Sequence, residues 1–144
     1  MSLFTAISIS ASGMEAQRSR AEIITENLAN ADTTRTPEGG PYKRKDTVFT
    51  TSPVQYSFTD VLSAASGQND GVAVSDVTID DREPERRYMP GHPDADPQGY
   101  VAFPRVNPAE EMVDLLSASR GYQANVAAIS AVKDMIARSI DLFR

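Results

Sequence analysis

Apolar residues recur at helical spacing through both ends of the chain, while all nine prolines lie in residues 37–108. Proline removes a backbone donor and breaks helix interiors, so this partition predicts two long terminal helices around a turn-rich segment. Toward the C-terminus, Leu115, Tyr122, Ile129, Ile136 and Phe143 recur every seventh residue, with Met112, Ser119, Val126, Lys133 and Ile140 as the offset row. This is an a/d heptad seam, interrupted only at Ser119 and Lys133. Asn107, Pro108 and Glu110 supply an N-cap, a first helical proline and a glutamate at the third position, so the helix should start at residue 108. It should end near residue 143, a length of roughly 50 Å at the rise of an α-helix.

The N-terminal stretch repeats the pattern more softly, with Ile7, Met14, Ala21 and Leu28 in one row and Phe4, Ala11, Arg18 and Thr25 in the other. Ser2 can cap its start, and Asn30 with the polar residues 32–36 stops it before Pro37. Its small residues allow close approach, so the two helices are expected to pair within the chain. Ile9, Ile23, Ile24, Leu116, Val132, Met135 and Leu142 point in other directions. The apolar surface therefore exceeds a two-helix seam, and either the middle segment or other subunits must cover the remainder. The alternative is a monomeric helical hairpin capped by its own loops.

Between the helices, residues 34–45 read as a turn region leading into a short strand at residues 47–51. Residues 54–62 mix strand and helix signals, and residues 63–70 read as a surface loop. Residues 71–79 alternate with period two and make the best strand in the chain. Residues 84–108 hold six of the nine prolines, with a short extended piece at residues 100–103. The fold class is thus mainly α, with a small β-containing middle segment and the terminal helices paired as a coiled coil. Its parts are residues 1–31, 32–107 and 108–144.

A chain of 144 residues makes one domain, and the absence of cysteine excludes a disulfide framework and thiol catalysis. A sequence pI near 4.7 and a net charge of −6 argue against nucleic-acid or anionic-membrane binding. Four of those six negative charges fall in residues 32–108 and one in each flanking stretch, so the middle is the solvated part. No run of 18 apolar residues could span a membrane. Ser8, Ser10 and Ser12 interrupt the apolar N-terminus, so no cleavable secretory signal is expected.

Candidate chemistry is thin. His92, Asp94 and Asp96 could suggest a metal site, but adjacent groups flanked by prolines rarely converge on one ion. A turn whose aspartates bond local backbone N–H groups is the simpler reading. Asp80, Asp81 and Glu83 beside Arg82, Arg86 and Arg87 read as a solvated charged face, and residues 43–45 are too few for a nucleic-acid patch. No P-loop, dinucleotide fingerprint, nucleophile elbow or zinc spacing occurs, and no catalytic, cofactor or metal residue is assigned.

Residues 25–33, with Asn27, Leu28, Ala29 and Asn30 at their centre, followed by residues 41–45, resemble the N-terminal signature of bacterial flagellar axial proteins, the rod and hook family. Residues 90–96, 99–101, 104–107, 110–114 and 118–125, the last containing Tyr122, Gln123, Ala124 and Asn125, are similar to the proximal-rod members. The resemblance implies a non-enzymatic subunit of a hollow, torque-transmitting shaft in the periplasm, with paired terminal helices lining the tube. It implies type III export without cleavage. Partners would be further copies, other rod proteins, the basal-body ring and the export apparatus. The assembly interface would use Phe4, Ile7, Met14, Leu28, Met112, Leu115, Tyr122, Val126, Ile129, Ile136, Ile140 and Phe143. Another rod or hook protein is the alternative, and a small acidic adaptor or enzyme a more distant one. Within this reading Asn27 and Asn30 end the first helix through local bonds. Gly121 reflects either a closely approaching backbone or simple surface tolerance.

Overall fold

The computed structural model describes residues 3–53 and 70–141. The readings for Ser2, residues 54–69, Leu142 and Phe143 lie outside the described residues. Helix α1 is Leu3–Ala29 and helix α2 is Pro108–Asp141, with strands β1 (Lys45–Pro53), β2 (Asp70–Ile79), β3 (Glu85–Tyr88) and β4 (Tyr100–Phe103) between them. The α2 start follows the sequence signal, since Asn107 Oδ1 accepts the Ala109 N–H at 3.1 Å. Ser8, Ser10 and Ser12 donate to the carbonyls of Phe4, Ala6 and Ile9, so these serines stay inside α1 without leaving hydroxyls unpaired.

Strands β1 and β2 form an antiparallel pair running from Lys45 opposite Ile79 to Pro53 opposite Asp70. Val48 pairs with Asp76 but Phe49 with Val74, so Ser75 is the extra residue of a bulge, and its hydroxyl donates to the Val48 carbonyl. The second antiparallel pair joins β3 to β4, with Glu85 opposite Phe103 and Tyr88 opposite Tyr100. Strand β3 is not among the expected elements, but it carries Arg86 and Arg87 of the charged face, and these stay exposed to solvent together with Asp81, Arg82 and Glu83, as expected. All four of its side chains are exposed, so the strand arises from backbone pairing and leaves no hydrophobic signature. Below it Val101 and Phe103 are buried, and the Arg87 guanidinium lies over the Phe103 ring at 4.8 Å.

Helix α1 packs along α2 and against both strands of the first sheet, where Ser12 Oγ accepts the Val72 N–H at 3.1 Å. The helices run antiparallel: Asn27 meets Glu111, Arg20 meets Asp114, Gln17 meets Gly121 and Gly13 meets Asn125. The buried residues of α2 are Glu111, Ala118 and Val132, and those of α1 are Ala16, Ile24 and Asn27.

The face that α2 turns to α1 is therefore not the expected apolar seam. Glu111, Ala118 and Val132 each stand one residue before a member of the Met112 row, which is a rotation of about 100° around the helix. Leu115, Ile129 and Ile136 flank the contact half-buried, whereas Met112, Val126 and Ile140 face outward. On α1 the second predicted row likewise leaves Phe4, Arg18 and Thr25 exposed. Small and hydrogen-bonded residues let the two backbones approach, so the intramolecular contact carries little hydrophobic periodicity.

Candidate assembly surface and the Asn27 junction

At the root of the helix pair Asn27 is fully buried and uses its whole hydrogen-bonding capacity. Its Nδ2 donates to the Lys45 carbonyl at 2.8 Å and to Glu111 Oε2 at 3.2 Å. Its Oδ1 accepts the Tyr42 hydroxyl and the Lys45 N–H, both at 2.9 Å. Lys45 thus pairs with Ile79 on one side and with an amide side chain on the other.

Glu111, with its side chain 1% exposed, is held by Arg44 Nε at 2.6 Å as well as by Asn27. A buried carboxylate needs such partners to stay ionised in the interior. Burial disfavours the charge on Arg44, yet its bonds to Glu111 and Asp46 outweigh this and strengthen its hold on the proton. Burial pushes the Tyr42 phenol up to about 12, and the carboxylates of Glu26 and Glu111 push the same way. Lys45 Nζ meets Glu26, and Lys43 meets Asp81 at 2.7 Å, so all three residues of the basic triplet are engaged within the chain.

Asn30 acts locally as expected, donating to the Glu26 carbonyl and accepting from Thr33. Asn27 does not. It bonds the following loop but also reaches 84 positions along the chain, so the expectation of a purely local role is corrected. In the His92 turn, Asp96 accepts the N–H groups of Gln98 and Tyr100, as turn chemistry requires. Asp94 instead faces Thr34 at 2.8 Å and Arg35 at 3.7 Å, tying this turn to the loop after α1. Among the described residues no group of three or more His, Asp or Glu is placed to hold a metal ion.

Farther along the pair, a Cβ on Gly13 would lie 2.9 Å from Asn125 Nδ2, and one on Gly121 would lie 3.2 Å from the Gln17 side chain. Within the single chain the group that approaches Gly121 is the Gln17 amide side chain. Of the motif residues, Asn27 is buried, Leu28, Asn30 and Asn125 are half-buried, and Ala29, Tyr122, Gln123 and Ala124 are exposed. The remaining interface candidates divide between the half-buried Ile7, Met14, Leu115, Ile129 and Ile136 and the exposed Phe4, Met112, Val126 and Ile140. Leu116 and Met135, 52% and 50% exposed, add to the open apolar surface of α2. Tyr42, Glu111 and Ala118 lie within the motif stretches 41–45, 110–114 and 118–125 but carried no assigned role, and the trace of Gly13 is a glycine placed against helix propensity.

Family models match both ends of the chain: "Flagella basal body rod protein" over residues 7–35 and "Flagellar basal body rod FlgEFG protein C-terminal" over residues 98–142. The chain is 39% identical to the flagellar basal-body rod protein FlgC of Borreliella burgdorferi, covering all of this chain and 99% of that protein. It is 38% identical to the FlgC of Bacillus subtilis, with 99% of each covered, and 40% identical to that of Salmonella typhimurium, covering 99% of this chain and 98% of that one. The chain belongs to the FlgC family of flagellar basal-body rod proteins. In this FlgC-family chain the matched segments contain α1 from Ile7 onward and the whole of α2, and the Asn27–Glu111 bond joins one matched segment to the other. Among the described residues no helix is long and apolar enough to cross a membrane.

Proposed function

We propose that this chain is a structural subunit of the proximal rod in the flagellar basal body, assembling with further copies and other rod proteins into a hollow torque-transmitting shaft within the periplasm. The observation that carries the reading is the match of the whole chain to basal-body rod proteins. The open side of α2 supports it: Met112, Val126 and Ile140, spaced by fourteen residues, leave apolar side chains without cover in the single chain. A shaft needs apolar contact in several directions from each subunit. In this arrangement residues 1–31 and 108–144 form a coiled-coil layer, and residues 32–107 form the part outside it. The Met112 row, with Phe4, Tyr122 and the flanking Ile129 and Ile136, contacts neighbouring subunits. The basal-body ring and the export apparatus are the further partners, with export through the type III apparatus. The subunit performs no catalysis and needs no cofactor.

Mass spectrometry of purified basal bodies, compared with a strain deleted for this chain, tests the proposal. The chain should be present in the intact structure, and the deletion strain should lack rods and motility. Complete rods in the deletion strain would overturn the reading.

A further inference from the structure

The four hydrogen bonds of Asn27 close a ring through three stretches that are remote in sequence: the end of α1, residues 42–46, and the first turns of α2. We infer that this ring makes the ordering of the three stretches a single event, with Asn27 as the positioning residue.

Each member depends on the other two. The amide of Asn27 is wholly removed from water, so losing residues 42–46 would strand one donor and both acceptor sites of its oxygen. The same loss would take Arg44 from Glu111, leaving a buried carboxylate with only Asn27 as its partner. Loss of α2 would strand the second Asn27 donor and leave Arg44 with Asp46 as its remaining partner. A buried polar group left without its partner bears the full penalty of desolvation, and a closed network concentrates that penalty on partial opening. Partly ordered states are therefore disfavoured relative to both the fully ordered and the fully open chain. The other ties nearby lack this property. Arg20 and Asp114 are both about one-third exposed, so water replaces either partner readily, and Asn30 bonds only within its own turn.

Amide hydrogen exchange on the full chain tests the inference, because it reads each stretch separately. Asn27→Ala should accelerate exchange in residues 24–29, 42–46 and 108–114 together, by about tenfold or more, the factor expected for loss of one buried partner. Asn30→Ala should accelerate only residues 30–36. Glu111→Gln approaches the same ring from α2 with little change of shape, and should accelerate residues 24–29 as well as its own helix. It decides the matter if Asn27→Ala unfolds the whole chain. Acceleration confined to the helix that carries the substitution would overturn the inference. So would a wild-type chain in which these three stretches show no protection.

Discussion

The side-chain amide of Asn125 occupies the space that a Cβ on Gly13 would need, with Nδ2 at 2.9 Å and Oδ1 at 3.1 Å from that position. The same Nδ2 donates back to the Gly121 carbonyl at 3.1 Å, so the seat on Gly13 and the inward turn of Asn125 belong to one arrangement. Gln17 covers Gly121 from the opposite helix. Two glycines that weaken their own helices thus let amide side chains settle between them.

These two glycines should respond differently to alanine. At Gly121 the new methyl meets the long, flexible Gln17, so the gain in helix propensity should appear as up to about 1 kcal/mol of stability. At Gly13 the methyl must displace Asn125 and break its bond to Gly121, a loss of about 0.5–1.5 kcal/mol that offsets the same gain. Thermal melts of Gly121→Ala and Gly13→Ala should show a raised midpoint for the first and none for the second.

The alkaline limb of stability should carry the mark of Tyr42. Its phenol ionises at about 12 in the folded chain against an ordinary 10, so the unfolded chain loses this proton first as the pH rises. The stability it contributes is present below pH 10 and lost between about 10 and 12. Lys43, whose pairing with Asp81 holds its proton more firmly, fades over the alkaline range too, so the difference between wild type and Tyr42→Phe isolates the phenol. Denaturation across that range should be less pH-dependent in Tyr42→Phe. Ultraviolet titration should lose a component near 12 out of five tyrosines.

How much of this was legible in the sequence depends on what each element is made from. The helices were, because missing prolines and the Asn107 cap act on the backbone directly. So was β2, through its alternation, although β1 extends beyond residues 47–51 at both ends. The face of α2 that meets α1 was not legible, since Glu111, Ala118 and Asn125 make contact through size and hydrogen bonding, which leave no apolar period. The Met112 row faces away from α1 while Leu115, Ile129 and Ile136 only flank the contact, and periodicity alone does not say whether a stripe meets its own chain or another. Asn27 stood inside a recognised motif, but one sequence cannot distinguish a bond to the next loop from a bond to Glu111.

Removing one side of the buried charge pair should cost more than removing both. Arg44→Met leaves the Glu111 carboxylate buried with Asn27 alone, and the expected loss is about 3 kcal/mol, the lower part of the range for such pairs because Arg44 is 25% exposed. Arg44→Met/Glu111→Met should recover much of that loss. Urea unfolding of the single and double variants measures both, and a double variant no more stable than Arg44→Met would show that the buried charge is not the cause.

The most direct measurement compares basal bodies isolated from strains carrying Val126→Asp and Arg138→Ala. Val126 is 42% exposed in the single chain, so aspartate there leaves the α1–α2 contact intact and acts only where a neighbouring subunit would cover it. An unpaired charge buried at such a contact costs several kcal/mol in every copy. The account predicts a Val126→Asp chain that unfolds in urea like the wild type yet builds no rod and leaves cells non-motile, with Arg138→Ala normal. Complete rods and normal motility in the Val126→Asp strain would contradict it.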